Sequence, residues 1–414
     1  MINYFYDCYS ILNKVYGEGA YLKQAILNTF IEEKNRSATV KTVYGVLDKD
    51  IELSYYLRSL TEKTPKLAIR TILKIAMYAI KYLDKHAYAV TQNAVELTKK
   101  LGKGGAAGFV NAFLRKFSAS DIPLPENETE YLSVKYSFPE FAVKELLLNY
   151  GKEKTVSILG AEDERNCVCF YGSVGLQYLN SIGISGEATP FNNVYLTKKF
   201  IRNGDYDNGL YTFQSLGSVA ICEVIDKGGK LLDCCAAPGG KSVRLSYKFD
   251  EVYSWDVHPH RVTLINEYKE RMNRNNIFTE VKDASRFDEK YVSFFDAVLC
   301  DAPCSGLGVT CGNPDIKIRR KTEDVFELTK IQISILKNVS RYVAPGGFLY
   351  YSTCSILYRE NIEIINKFMS DIKNFEMVET DSPIPHLKVG KALQFLPDTS
   401  FGNGYFVAKL KRIK

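Results

Sequence analysis

The run Leu231-Leu-Asp-Cys-Cys-Ala-Ala-Pro-Gly-Gly-Lys-Ser242 constrains this chain more than any other: a short apolar stretch, a turn built on paired glycines, then the opening of a helical pattern. Adjacent glycines let a backbone approach a ligand closely and turn its amides toward it. The turn is not a phosphate loop, because the G-x-x-x-x-G-K-[ST] spacing is absent, and it lacks the G-x-G-x-x-G of dinucleotide sites. What remains is a tight turn behind a buried strand, suited to a nucleoside cofactor.

From Lys230 onward the pattern alternates. Apolar strands at Leu231–Cys234, Glu251–Trp255, Ala297–Cys300 and Phe348–Tyr351 are separated by helical stretches such as His260–Asn273 and Thr322–Val339, which predicts a parallel sheet covered by helices. Two of these strands run directly into Asp301-Ala-Pro-Cys304 and Ser352-Thr-Cys354. Crevices of an open parallel sheet lie at the carboxyl ends of its strands, so a cofactor turn and two thiols are expected to share one cleft. A lone cysteine is ordinarily a small buried hydrophobe, but two at adjacent strand ends beside such a turn favour chemistry. Asp256 closes the second strand, either as an acceptor for ribose hydroxyls or as a cap for the next helix. Asp283 either meets an adenine edge or is a turn residue.

At 414 residues the chain is long enough for two or three domains. Its first ~120 residues read as a helical bundle. Thr64-Pro65 is expected to cap a helix with proline at its first position, with Ile69, Leu73, Ala76 and Ile80 on one face and Arg70, Lys74 and Lys81 on another. Helical patterns continue at 93–100 and 106–116, separated by glycines at 102–105; 118–128 reads as a linker, 139–148 as a helix and 166–205 as short strands. Residues 1–120 hold 18 Lys+Arg against 10 Asp+Glu, a charge of +8, while the remainder sums to −2. Such a module attracts polyanions, nucleic acid first, although a lysine-rich solvated surface gives the same count.

The ten cysteines are irregularly spaced with no C-x-x-C pair, so no metal site is expected. The start carries no basic-then-apolar segment and no apolar run reaches eighteen residues, which predicts a cytoplasmic protein with reduced thiols and no membrane contact.

At these residues the chain resembles the two-cysteine RNA cytosine-5 methyltransferases (the RsmB/NOP/Sun family), and across nearly its whole length the bacterial RsmB type acting on small-subunit ribosomal RNA. The likeness is carried by the 235–241 segment, by Asp301-Ala-Pro-Cys-Ser-Gly-Leu-Gly-Val309 with Asn313-Pro-Asp-Ile-Lys317, by Ser352-Thr-Cys354 with Glu360-Asn361, and by Phe395-Leu-Pro397 with Gly404-Tyr-Phe-Val-Ala-Lys409. Ala89-Val-Thr-Gln-Asn-Ala-Val-Glu-Leu97 and Gly108-Phe-Val-Asn-Ala-Phe-Leu-Arg115 resemble the family's NusB-like helical RNA-binding domain.

The resemblance implies an α/β fold: a NusB-like all-α domain at 1–122, a small α+β linking region at 123–210, and a Rossmann-like S-adenosylmethionine-dependent methyltransferase domain at 211–414. It implies Cys354 as nucleophile and Cys304 as the group assisting product release. Cys235, Ala236, Ala237, Pro238, Gly239, Gly240, Lys241, Asp256, Asp283 and Asp301 would line the S-adenosylmethionine site. The implied partner is 16S ribosomal RNA, with no DNA, and the protein is expected to be a monomer.

Carbon 5 of cytosine is too weak a nucleophile to take a methyl group directly, and adding a thiolate to carbon 6 makes it enamine-like. One cysteine attacks, a second group handles the carbon-5 proton, and an acid such as Asp301 can support the addition at the N3 and amino edge of the base. Departures from the family pattern are Cys167-Val-Cys-Phe170 in place of an Arg-Val-Asn strand, Ser215 in place of an Asp, and Thr310-Cys-Gly312 in place of basic residues. Competing readings are the same chemistry on transfer RNA, and a NusB-like RNA-binding factor with a degenerate methyltransferase half. Both cysteines and the full glycine turn argue against degeneracy.

Overall fold

The periodicity of the first 120 residues becomes seven α-helices: α1 Ile2–Gly17, α2 Leu22–Leu27, α3 Glu33–Asp48, α4 Asp50–Leu60, α5 Leu67–Tyr82, α6 Ala87–Lys100 and α7 Ala107–Ala119. The computed structural model describes residues 2–163, 165–172, 174–199 and 202–413. Lys66 stays extended (ψ 152°), so α5 begins at Leu67 and Pro65 precedes the cap instead of opening the first turn. Burial of Ile72, Leu73, Ile75, Ala76, Met77 and Ala79 wraps most of the circumference of α5, making it a core helix rather than a two-faced one. Lys74, expected on a face apart from the apolar one, is buried and pairs with Asp50 Oδ1 at 2.6 Å. The polar face of α5 therefore faces a carboxylate of α4 there, not water.

After α7 come α8, Glu128–Lys135, capped by the Asn127 side chain, and α9, Glu140–Leu159, interrupted at Gly151 where φ is 74°. The chain divides into two compact units. The first holds the residues up to Leu148 together with Thr310–Lys321; the second holds Asn149–Val309 and Thr322–Lys414. These limits differ from those expected at 122/123 and 210/211. α8 and the first part of α9 belong with the helical unit, and so does a segment expected inside the methyltransferase domain. That segment is held by specific bonds: Asp315 Oδ2 accepts from the Leu22 amide at 3.2 Å, and Lys317 Nζ reaches Asp48 Oδ1 at 2.6 Å.

In the second unit, β1 Asn166–Phe170, β2 Gly186–Ala188, β3 Val194–Thr197 and β4 Tyr211–Phe213 form an antiparallel sheet in the order β2-β3-β1-β4. The larger sheet contains β5 Gly228–Asp233, β6 Phe249–Asp256, β7 Ile277–Val281, β8 Phe295–Asp301, β9 Val343–Thr353, β10 Phe375–Val378, β11 Leu387–Val389, β12 Ala392–Phe395 and β13 Tyr405–Arg412. Its order is β11-β12-β13-β9-β8-β5-β6-β7, with β10 on β13. β5 to β9 are parallel and β13 runs antiparallel to β9, giving the mixed sheet of a Rossmann-like methyltransferase. Alternation splits the core: Leu231, Ala297 and Leu299 pack on one face, and Leu232, Val298 and Cys300 on the other.

The chain passes from β5 to β6 on one side and returns to β8 on the other, so β5 and β8 flank the point where strand order reverses. A crevice opens there in doubly wound sheets, and both the glycine turn and Asp301-Ala-Pro-Cys304 leave from it. Among the described residues, no helix is long and apolar enough to cross a membrane, and no group of three His, Cys, Asp or Glu could hold a metal ion.

Candidate active site

The turn after β5 is fixed by its own backbone. The Ala236 amide donates to Trp255 O at 2.8 Å, the Gly239 amide donates to Ala236 O at 2.8 Å, and a short helix follows at Gly240–Leu245. Gly239 has φ 105°, and a Cβ there would meet the Cα of Ile265 at 3.3 Å. Any side chain would strain the backbone and crowd the neighbouring helix Pro259–Arg271. Asp233, at the end of β5, accepts from the Ser242 hydroxyl at 2.7 Å, while its other carboxylate oxygen is buried without a partner. Burial pushes its pKa up to about 7 despite the Ser242 bond.

The three acids expected at the cofactor have distinct surroundings. Asp256 is buried, accepts from the His258 amide at 3.1 Å and lies 3.4 Å from an Arg261 guanidinium nitrogen. These are the contacts of a residue organising the start of the Pro259–Arg271 helix, and the carboxylate closes the strand beside the glycine turn, whose Ala237 carbonyl Arg261 also contacts. Asp283 accepts from the amide and hydroxyl of Ser285 at 2.9 and 2.6 Å, with Arg286 3.2 Å away; the Ser285 hydroxyl leads in holding its pKa below the ordinary range. Asp301 bridges two elements: one oxygen pairs with Lys241 Nζ at 2.7 Å and the other accepts from the Ser352 hydroxyl at 2.6 Å. Burial opposes the charge on Lys241, but Asp301 outweighs it and raises the lysine's pKa.

Parallel pairing of β8 with β9 sets Asp301 opposite Ser352, and the loops beyond bring Cys304 and Cys354 together with sulfurs 3.2 Å apart, both free thiols. The hydrogen bond to Cys354, followed by burial, raises the Cys304 pKa well above that of an ordinary thiol, so Cys304 keeps the proton of the pair. Under them lies Glu360, fully buried. It accepts from the Ser305 amide at 2.7 Å, the Ser305 hydroxyl at 2.5 Å, the Ser355 hydroxyl at 2.5 Å and Gln332 Nε2 at 3.2 Å. Ser305 and Ser355 each follow one of the cysteines, so one carboxylate ties both thiol loops.

A second tie runs through glycines. The Gly308 amide donates to Cys354 O at 3.0 Å and the Gly404 amide to Gly308 O at 2.6 Å, and a Cβ on Gly308 would lie 2.2 Å from Gly404 O. Ser215 shares a hydrogen bond with the buried Tyr405 hydroxyl at 2.5 Å. Sequence reasoning singled out neither Asp233 nor the Ser305–Glu360–Ser355 bridge, although the serine after each cysteine was the available signal. The left-handed glycine close to Ile265, the orphaned Asp233 oxygen and the acids at three strand ends fit a small polar nucleoside ligand.

This fold and this strand-end site define an S-adenosylmethionine-dependent methyltransferase. Residues 224–411 match the 16S rRNA methyltransferase RsmB/F family model and residues 9–119 match the NusB family model. The chain is 31% identical over 419 residues to the probable ribosomal RNA small subunit methyltransferase B of Bacillus subtilis (strain 168), covering 94% of each. The chain belongs to the ribosomal RNA small subunit methyltransferase B family. Among solved structures, PH0851 superposes with a TM-score of 0.85 at 20% identity, covering 100% of this chain and 99% of that one. A methyltransferase homolog protein from Pyrococcus horikoshii superposes with 0.60 at 22% identity, over 70% of this chain and all of its own.

Proposed function

We propose that this protein methylates carbon 5 of a cytosine in 16S ribosomal RNA through a covalent adduct, with Cys354 as nucleophile and Cys304 as the group that allows release. The observation carrying this reading is the 3.2 Å approach of the two sulfurs beyond the ends of β8 and β9, with the Cys304 thiol pushed up by its bond to Cys354 and by burial. A sulfur that receives a hydrogen bond is the one prepared to carry negative charge. The target base is drawn out of its stack into the cleft, and the Cys354 sulfur bonds to carbon 6. Asp301, with lone pairs beyond those used by Lys241 and Ser352, accepts from the amino edge of the base.

The segment Cys235–Lys241 with Asp256, Asp283 and Asp301 would hold S-adenosylmethionine, which supplies the electrophilic methyl group. Once the Cys354 sulfur is bonded to carbon it no longer accepts from Cys304. That removes the first of the causes that raise the Cys304 pKa, burial and the Glu360 charge remaining; Cys304 gives its own proton to solvent and then takes the carbon-5 proton as the Cys354–C6 bond breaks. The helical unit contributes RNA binding, in keeping with the charge of +8 on residues 1–120 and with its NusB match. The relatives' names favour small-subunit ribosomal RNA over transfer RNA, and the reaction is assigned to the cytoplasm.

The test incubates purified variants with S-adenosylmethionine and labelled 16S RNA. Cys304→Ala is expected to accumulate a protein–RNA adduct that survives denaturing electrophoresis, and Cys354→Ala to form none. The reverse pattern would swap the roles, and adduct from neither would overturn covalent catalysis by this pair. Bisulfite sequencing of total RNA from a deletion strain decides between 16S and transfer RNA.

A further inference from the structure

The helical unit carries a cationic pocket that this chemistry does not use. Arg58 of α4 and Arg70 of α5 line a cavity of about 340 Å³ with Tyr16, Lys74 and Arg319. Its carboxylate, Asp50, is already engaged by Lys74 Nζ at 2.6 Å and the Tyr16 hydroxyl at 2.5 Å. Arg319 is held by the carbonyls of Gly19 and Ala20 and by Asp315. The guanidinium groups of Arg58 and Arg70 have no partner among the described residues, yet both lie near enough to Lys74 to lower its pKa, after burial itself. Positive charges gathered around one neutralised carboxylate repel each other, and an anion relieves the repulsion.

A second cavity, about 490 Å³, shares Thr64 with the first. Lys63, Lys66 and Lys103 rim it, and Pro65, Ala68 and Phe109 supply apolar wall. Phe109 is 42% exposed, whereas Phe113 and Phe117 of the same helix are buried. An exposed aromatic ringed by lysines beside an arginine pocket matches the repeat of a nucleic acid strand: a phosphate, then a flat apolar base.

We propose that these two adjoining cavities seat one strand of RNA, with a phosphate between Arg58 and Arg70 and an unstacked base against Phe109. The proposal rests on the RNA reading above and deepens it by assigning the surface. The test measures binding of the full chain to 16S RNA at several salt concentrations. Arg58→Ala/Arg70→Ala is expected to weaken binding about tenfold or more and to reduce the slope of log affinity against log salt by about one per arginine. Phe109→Ala is expected to weaken binding several-fold with the slope retained, because stacking releases no counterions. Arg58→Lys/Arg70→Lys, which keeps the charge, should preserve the slope.

Unchanged affinity and slope in the double alanine variant would overturn the proposal, as would loss of affinity without loss of slope. Competition by polyglutamate as effective as RNA would assign the pocket to an acidic protein segment and overturn it too. Arginine-dependent binding with no cytosine methylated would break the functional reading and keep the pocket; methylation with arginine-independent binding would do the reverse.

Discussion

In the helical unit, the two buried carboxylates of α4 face cations and phenols. Asp50 holds Lys74 and Tyr16, and Glu52 holds the hydroxyls of Tyr56 and Tyr82 with Lys81 3.4 Å away. In the sheet unit, Glu360 and Asp233 are as deeply buried but meet hydroxyls and amides instead of cations: Ser305, Ser355 and Gln332 for the first, and Ser242 for the second, whose other oxygen has no partner. An ion-paired carboxylate joins two helices and acts as a strut. A carboxylate held by hydroxyls fixes the loops that carry those hydroxyls, and both such loops here bear the thiols or the glycine turn. Removing the first kind should cost stability, and altering the second should cost turnover or change its pH dependence.

The largest effect is expected at the strut. Asp50→Ala leaves the Lys74 ammonium buried without its counter-charge, a change that costs about 3–5 kcal/mol. The melting transition of the helical unit should fall sharply in differential scanning calorimetry. Adding Lys74→Met to the same chain should recover most of the loss, because the cost lies in the orphaned charge. No recovery would mean that Asp50 acts through Tyr16 and Ser54 instead, and the contrast between the units would fail on that side.

At the thiol loops, Glu360→Gln keeps the shape but weakens the bridge between Ser305 and Ser355. Misplacing a reacting group by about 1 Å can cost roughly 100-fold in rate, and a drop of that order in kcat is expected, with a smaller change in KM for RNA. A purely structural residue would not alter thiol ionisation, whereas the Glu360 charge helps to hold the Cys304 pKa up. The alkylation–pH profile of Cys304, read in a Cys354→Ala background, should therefore move to lower pH in Glu360→Gln. An unmoved profile would make Glu360 a packing residue only.

Local periodicity and distant partners divide what the sequence made legible from what it did not. The strands ending at Asp233, Asp256 and Asp301 and the helix Thr322–Val339 were readable because apolar spacing is a local property. The meeting of Cys304 and Cys354 was readable because each closes an apolar strand, and β8 and β9 pair. The burial of Lys74 is not legible in the sequence because periodicity does not register Asp50, 24 residues earlier on another helix. Glu360 lies 55 residues from Ser305, and serine after cysteine is too common a pair to announce a bridge. The attachment of Thr310–Lys321 to the helical unit depends on Leu22 and Asp48, 293 and 269 residues from the side chains they bond. None of its residues signals that in a local window.

The smallest expected effect is a pH dependence, and it follows from the second kind of carboxylate. Asp233 has a folded pKa of about 7 against an ordinary value of 3.8, with burial as the main cause. A raised folded pKa means that the native protein holds this proton more tightly than the unfolded chain. The associated stability is fully present below the unfolded value and is lost as pH rises through the folded one, by at most about 1.4 kcal/mol per pH unit. Asp233→Asn is neutral at every pH and can still accept from Ser242, so its melting temperature should fall less than that of the wild type between pH 5 and pH 8. Calorimetric scans that resolve the sheet unit across this range are the measurement. Parallel wild-type and Asp233→Asn curves would place Asp233 among the carboxylates that stay charged, and the distinction between strut and loop holder would then rest on Glu360 alone.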